Sequence, residues 1–395
     1  MLLLSIVTAL LALVLLLPTI SDMISLLAAR RAARAADPVS LPRFLIVVPA
    51  HNESLLVEGC VRSLVALDYP IAQRRIVVIA DNCMDDTAVK ATRAGAECLV
   101  RFDRVYPGKP RAIAWALDQL SADPFDMLVV VDADTVVDRN FLKEVARSGP
   151  VRDIAVQGYH GVSNPDENAL TRMSTVFASA RYRYSFPLKQ RAGLNVPMMG
   201  NGMCIGANVL TTHGWNAFSI CEDWELYLRL TDAGVPIIPA PDARVHSQEA
   251  QSLKQSTTQR QRWTAGKWMV LRASFPALIR NARLGWRQKL DMLAELSAPG
   301  PAVHLGAALA LGVLVVLLHA PFAGALVFAL AVSVLRIAIY TVAAIRLEPQ
   351  PLRACASFLY LPFYTLWRLY IQVSAISMIG DKPWIRTERH VVADK

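Results

Sequence analysis

The chain has 395 residues, 54% of them hydrophobic and 18% charged, and a formal net charge of +9. An ordinary soluble domain is about 45–50% apolar and about 25% charged. The composition therefore excludes a disordered chain and, where the apolar excess is gathered into long runs, a wholly soluble protein.

The first such run is residues 1–21, which carry no charge. A spanning helix needs about 20 apolar residues, so residues 1–28 are read as an N-terminal transmembrane helix. Arg30, Arg31 and Arg34 follow it and nothing basic precedes it. The positive-inside rule puts that flank in the cytoplasm, whereas a cleaved signal peptide would need a basic stretch before the apolar run.

Residues 40–282 have the charge and period of a globular domain. Residues 44–49 form an apolar, β-rich run ended by Pro49, read as a buried strand, with a helical pattern after it from Ser54 to Leu67. A second strand, 75–81, ends on Asp81; a short helix, 87–95, ends on a glycine; 98–100 is a third strand and 110–120 a helix. The fourth strand, 127–132, again ends on an acid, Asp132. Alternating strands and helices imply right-handed crossovers and a mostly parallel, helix-covered sheet of α/β class. Ligands of such sheets bind at the carboxyl ends of the strands, where Asp81 and Asp132 both fall.

Beyond this domain, residues 283–298 carry apolar residues at helical spacing with Arg287 and Lys289 between them, the pattern of an interfacial amphipathic helix. Residues 299–346 hold a run long enough for two transmembrane helices, with 320–324 as the turn. Residues 354–380 are a third membrane segment containing Pro362 and Arg368, and span, re-entrant and interfacial readings all stand. Residues 381–395 are read as a cytosolic tail. None of the six cysteines lies in a Cys-x-x-Cys pair, so neither a disulfide framework nor a zinc finger is expected. The basic balance is read as membrane flanks plus an anionic ligand, with no nucleic acid.

Three local patterns carry chemistry. In Asp132-Ala133-Asp134 the strand period points both acids the same way. Two carboxylates in one crevice repel unless a cation lies between them, and Mg²⁺ or Mn²⁺ suits oxygen ligands and bridges to phosphates; a solvated turn is the plainer alternative. Glu222-Asp223 opens a helix over 224–230, either as dipole-favoured caps or with Asp223 as a general base. Gln259-Arg260-Gln261-Arg262-Trp263 lies on an amphipathic segment, where an Arg can neutralise a diphosphate and an indole can stack on a sugar, or both can pack at a membrane interface. His246 follows an apolar segment, at a strand end, and reads as a solvated loop residue. Gly200-Asn201-Gly202-Met203 reads as a Gly-rich turn, a composition that lets a substrate approach the backbone.

In chain order, Pro49-Ala50-His51-Asn52-Glu53, Ala80-Asp81-Asn82-Cys83, Gly108-Lys109, Asp132-x-Asp134, Glu222-Asp223 and Gln259-x-x-Arg262-Trp263 resemble the motifs of family 2 glycosyltransferases. The group is the membrane-embedded cellulose synthase-like and poly-N-acetylglucosamine synthase-like one. Ala80-Asp81-Asn82-Cys83 departs from the commoner Asp-Asp-Gly-Ser, so Asp81 alone carries the acid over. The resemblance implies a cytosolic GT-A domain, Rossmann-like, framed by transmembrane helices in a bacterial inner membrane. It implies that Glu53 and Asp81, with the Pro49-Ala50 backbone, contact the nucleotide and that Lys109 meets uracil or phosphate. Asp132 and Asp134 would hold the donor diphosphate and its Mg²⁺ or Mn²⁺, with His246 as a further metal candidate. Asp223, beside Glu222, would be the base, Arg262 would share the leaving charge, and Gln259, Trp263, Gly202 and Met203 would shape the acceptor side. The tail Trp384-Ile385-Arg386-Thr387-Glu388-Arg389 resembles a family motif that gates the site, against a lipid-bound tail.

The expected activity is an inverting hexosyltransferase. It moves a hexose or N-acetylhexosamine from a nucleotide sugar, UDP-linked, to a growing cell-envelope polysaccharide and forms a β-glycosidic bond. The alternative is a single addition to a membrane lipid or lipid-linked glycan. The implied partners are the nucleotide-sugar donor, a glycan or lipid acceptor and the membrane.

Overall fold

The computed structural model describes residues 2–31 and 40–378. The expected tail, 381–395, lies outside the described residues, as does Arg34. The chain divides into two compact units. Of the described residues, one unit contains 40–164 and 195–249 and the other contains 2–31, 165–194 and 250–378. Residues 165–194 and 250–282, read from the sequence as part of one domain over 40–282, thus cluster with the apolar helices.

The first unit is built on an eight-stranded sheet. Its strands are β1 (Phe44–Ala50), β2 (Arg74–Asp81), β3 (Glu97–Arg101), β4 (Met127–Val130), β5 (Thr135–Val137), β6 (Ala155–Val162), β7 (Met203–Gly206) and β8 (Ile237–Ser247), in the order β3-β2-β1-β4-β7-β6-β8-β5. The half β3-β2-β1-β4 is parallel. β7 then runs antiparallel to both β4 and β6, while β6 and β8 are parallel and β5 is antiparallel to β8. The sheet is therefore mixed, and the parallel expectation describes its first half. β1 and β4 are buried along almost their whole length, because helices cover both faces of a parallel sheet. Ile46, Val48, Val78, Val129 and Val156 are fully or almost fully buried in its core.

The crossover helices of this unit include Val57–Val65, Thr87–Arg93 and Lys109–Gln119. Gly108 precedes the last of these with φ 106°, a conformation that only glycine adopts without strain. Asn52 and Asn82, in the turns after β1 and β2, take φ 55° and 52°. Asn tolerates that region better than most residues.

The second unit is helical. Two of its helices, Leu3–Ala28 and Ala323–Ile345, are long and apolar enough to cross a membrane. Trp286–Ser297 and Pro301–Leu317 follow one another with a 91° bend. The turn between Pro301–Leu317 and Ala323–Ile345 contains His319 and Phe322 in the left-handed region. Residues 351–375 form the helices Pro351–Ser357 and Leu361–Ala375 with a 3-10 turn between them. Charges on the apolar helices are costly unless paired, and Asp22 pairs with Arg336 at 2.6 Å. Beside them Lys189, almost wholly buried, meets Asp291 and, at 2.9 Å, Glu295.

Candidate active site

The carboxyl ends of β1, β2 and β4 bring three turns together, with the loop before β7 and the start of helix Glu222–Asp232 beside them. Asp81 ends β2 and is 4% exposed. Its Oδ1 accepts from Arg101 Nη1 at 2.6 Å and its Oδ2 from the Gly108 N–H at 3.0 Å. It thus holds the turn that aims Lys109, and both of its oxygens have protein partners. His51 Nδ1 lies 2.7 Å from the Asp81 carbonyl oxygen. The β1 turn is tied to the β2 turn: the Glu53 N–H donates to Thr87 Oγ1 at 2.8 Å, the Met84 N–H to Asn52 Oδ1 at 2.7 Å, and the Cys83 thiol to the Ala50 carbonyl at 3.4 Å. Pro49 is the next-to-last residue of the same strand, in register with Ile79.

Asp132 and Asp134 follow β4. Both are half-buried, and Val131, Ala133 and Thr135 between and around them are buried, so the alternation read from the sequence persists through the turn. Lys109 Nζ donates to Asp132 Oδ1 at 2.7 Å and to the Gly200 carbonyl at 2.5 Å, and lies 3.3 Å from Glu222 Oε1. Burial opposes its charge, but Asp132, Glu222 and Asp223 outweigh burial and hold the ammonium protonated. Lys109 is thus seated among the acids of the site.

Glu222 and Asp223 open their helix, where the dipole favours negative charge. Glu222 is 8% exposed. Asp223 Oδ1 accepts from the Trp224 N–H at 2.8 Å. Burial, then the neighbouring Glu222, push the Asp223 carboxyl up to about 7, against the pull of the Trp224 N–H and Lys109. A base is most effective when its pKa lies near the working pH. Gly200, at φ 79°, stands directly against it: a Cβ at Gly200 would lie 3.3 Å from Asp223 Oδ2.

The loop before β7 is the part that the sequence reading undervalued. Gly202 accepts from the Gly158 N–H at 3.0 Å, and Met203 is fully buried in β7, beneath the site. Asn201, 1% exposed, accepts from the Asp132 N–H at 3.2 Å and donates to Thr135 Oγ1 at 2.8 Å. His160, on β6, was also missed. Its Nε2 lies 2.7 Å from Ser247 Oγ and 3.4 Å from Asn201 Nδ2. Burial lowers its pKa, while Asp132 and Asp134 act in the opposite direction.

His246 lies within β8 rather than in a loop beyond a strand end. Its Nε2 is 3.3 Å from Asp138 Oδ1, and the charges acting on it are those of Asp138 and Arg244. Gln259, Arg262 and Trp263 stand on helix Leu253–Arg280 of the helical unit, with Trp263 46% exposed and the Arg260 guanidinium 5.6 Å from its ring centroid.

The donor set suits a hard divalent cation. Asp132 and Asp134 offer carboxylate oxygens, and the ammonium of Lys109 faces Asp132, Glu222 and Asp223, so negative charge is in excess. Among the described residues no group of three or more His, Cys, Asp or Glu converges on one point. Mg²⁺ and Mn²⁺ are commonly bound by one or two carboxylates, with phosphate and water completing the shell.

A model of the glycosyltransferase-like family 2 matches residues 42–266. The beta-monoglucosyldiacylglycerol synthase of Trichormus variabilis is 27% identical over 266 residues, 64% of this chain and 55% of that protein. The hyaluronan synthase of Streptococcus pyogenes is 26% identical over 206 residues, 48% of this chain and 44% of that one. The chain spans about half the length of the curated relatives it matches. Among solved structures, the mannosyltransferase PcManGT of Pyrobaculum calidifontis, in complex with GDP-Man and Mn²⁺, superposes with a TM-score of 0.59 at 18% identity, covering 95% of this chain and 98% of that one. That likeness speaks for the fold, which is GT-A: a Rossmann-like sheet with its acids at the strand ends. The chain belongs to the glycosyltransferase-like family 2.

Proposed function

We propose that the chain is an inverting hexosyltransferase that moves a hexose or N-acetylhexosamine from a nucleotide sugar, UDP-linked, to an acceptor hydroxyl in or at the membrane. The observation that carries this reading is the cluster of charges at the strand ends: Lys109 Nζ lies 2.7 Å from Asp132 and 3.3 Å from Glu222, with Asp223 beside them against Gly200. Asp223 takes the proton of the acceptor hydroxyl as its oxygen attacks the anomeric carbon. The bond from that carbon to the diphosphate breaks, and the diphosphate leaves with the electron pair. A single displacement inverts configuration, so an α-linked donor gives a β-glycoside. Lys109 lies where it can compensate the leaving charge, and Asp81 and Arg101 keep it there through Gly108. Asp132 and Asp134 would hold a divalent cation, which when bound would supply Lewis-acid neutralisation of the same diphosphate.

For the acceptor, the diacylglycerol relative and the two apolar helices favour a membrane lipid or lipid-linked glycan and a single addition. The hyaluronan synthase relative supports the second reading, a growing cell-envelope polysaccharide. Under either reading the protein is proposed to sit in a bacterial membrane with its catalytic unit cytosolic; the basic flank Arg30 and Arg31 after the first apolar run supports this. Membranes containing the protein, given radiolabelled nucleotide sugar, separate the readings. One lipid-soluble product is expected; products of graded length would replace the lipid reading with the polymer one.

A further inference from the structure

We infer that Asn201 is the positioning residue of the Asp132–Asp134 pair, a buried clip that sets both carboxylates toward one divalent cation on a nucleoside diphosphate. The inference rests on the donor-site reading above.

The geometry is specific to this side chain. Asn201 Oδ1 accepts from the backbone N–H of Asp132 at 3.2 Å, which fixes the start of the turn. Asn201 Nδ2 donates to Thr135 Oγ1 at 2.8 Å, and that hydroxyl donates to Asp134 Oδ1 at 3.3 Å. The same Nδ2 lies 3.4 Å from His160 Nε2, which Ser247 Oγ approaches at 2.7 Å. One amide thus reaches the first acid through its backbone and the second through a hydroxyl relay. An ionised carboxylate cannot do both because it has no donor, and a hydroxyl has one oxygen to serve both partners where the amide has two separate atoms.

The clip is itself held in place. The Asn201 carbonyl accepts from Gln157 Nε2 at 2.9 Å, and Gln157, fully buried, accepts from the Met199 N–H at 2.8 Å through its Oε1. On one side of Asn201 the Gly200 carbonyl accepts from Lys109; on the other the Gly202 carbonyl accepts from Gly158. Gly200 and Gly202 both have positive φ, 79° and 63°, and these let the backbone place Asn201 inward between them. The turn Asp132-Ala133-Asp134-Thr135 closes on itself through the Thr135 N–H to the Asp132 carbonyl at 3.2 Å. Without Asn201 that turn keeps its backbone bond and loses the contact that fixes the relation between its two acids.

Calorimetric titration of UDP and, in parallel, GDP into the purified full-length protein tests this, with and without Mn²⁺. In Asn201→Ala the Mn²⁺ concentration for half-maximal nucleotide binding should rise at least about tenfold, since two buried hydrogen bonds are lost. Binding without Mn²⁺ should stay within about twofold, since the protein contacts to nucleotide are untouched. Thr135→Val breaks only the Asp134 arm and should show the same split at smaller size, and Thr135→Ser should restore it. If Asn201→Ala does not fold, Thr135→Val and its serine rescue carry the test. Unsubstituted protein that binds neither nucleotide in a Mn²⁺-dependent way overturns the donor-site reading and the clip with it. Normal Mn²⁺ dependence in the unsubstituted protein, with no shift in the variants, overturns the clip alone. An equal loss with and without Mn²⁺ also overturns it, because that is the signature of a merely structural residue.

Discussion

Asp223→Asn binds nucleotide as the unsubstituted protein does and transfers sugar about 10²–10⁴-fold more slowly, the range that a positioned general base contributes. The substitution keeps the shape and the acceptor oxygen for the Trp224 N–H and removes only the ability to take a proton. Turnover near the unsubstituted level in this variant would remove Asp223 as the base. The pH profile gives an independent readout with a definite sign. A base must be ionised, and burial and Glu222 hold Asp223 up to about 7. The rate should therefore fall as pH drops below about 7, rather than below the ordinary carboxylate range near 4. Lys109 pulls the Asp223 pKa down, so Lys109→Met should move that acid limb to higher pH. A limb that stays in place means that Lys109 does not act on the base.

Asp134→Ala loses metal-dependent donor binding. Outer-shell partners of a metal site are worth about 10–100-fold in affinity, so removing a carboxylate ligand should cost at least about 100-fold in Mn²⁺-dependent nucleotide affinity. Lys109 is already seated on Asp132 and remains for the nucleotide, so metal-independent binding should persist. Nucleotide affinity that is the same with and without Mn²⁺ in both proteins would count against Asp134 as a ligand. The contrast with Asn201→Ala is one of degree: the ligand abolishes the metal term, whereas the clip weakens it.

The parallel half of the sheet was legible because its strands are short apolar runs ended by an acid or a proline, bounded by helical periods. Asp132-Ala133-Asp134 and Glu222-Asp223 were legible because acids that follow an apolar strand or open a helix stand out. The antiparallel half was not. β6, Ala155–Val162, mixes Gln157, Gly158, His160 and Gly161 into its length, and its polar residues face the site, which removes the apolar signature of a strand. Asn201 and His160 carry no motif; they matter through partners 69 and 87 positions away in the chain. Arg101 was hidden for the same reason, as the partner of Asp81 at the end of a neighbouring strand. A signal was present in one case: a single Asn between two glycines, Gly200-Asn201-Gly202, marks a backbone bent so as to bury a polar side chain.

The most direct test of the account is the anomeric configuration of the transferred sugar. An α-linked nucleotide-sugar donor is incubated with membranes containing the protein and Mn²⁺, and the product linkage is read by proton NMR coupling at the anomeric position. One displacement with Asp223 as base predicts a β-linked product, formed about 10²–10⁴-fold more slowly by Asp223→Asn. An α-linked product would contradict the single-displacement mechanism and the role given to Asp223.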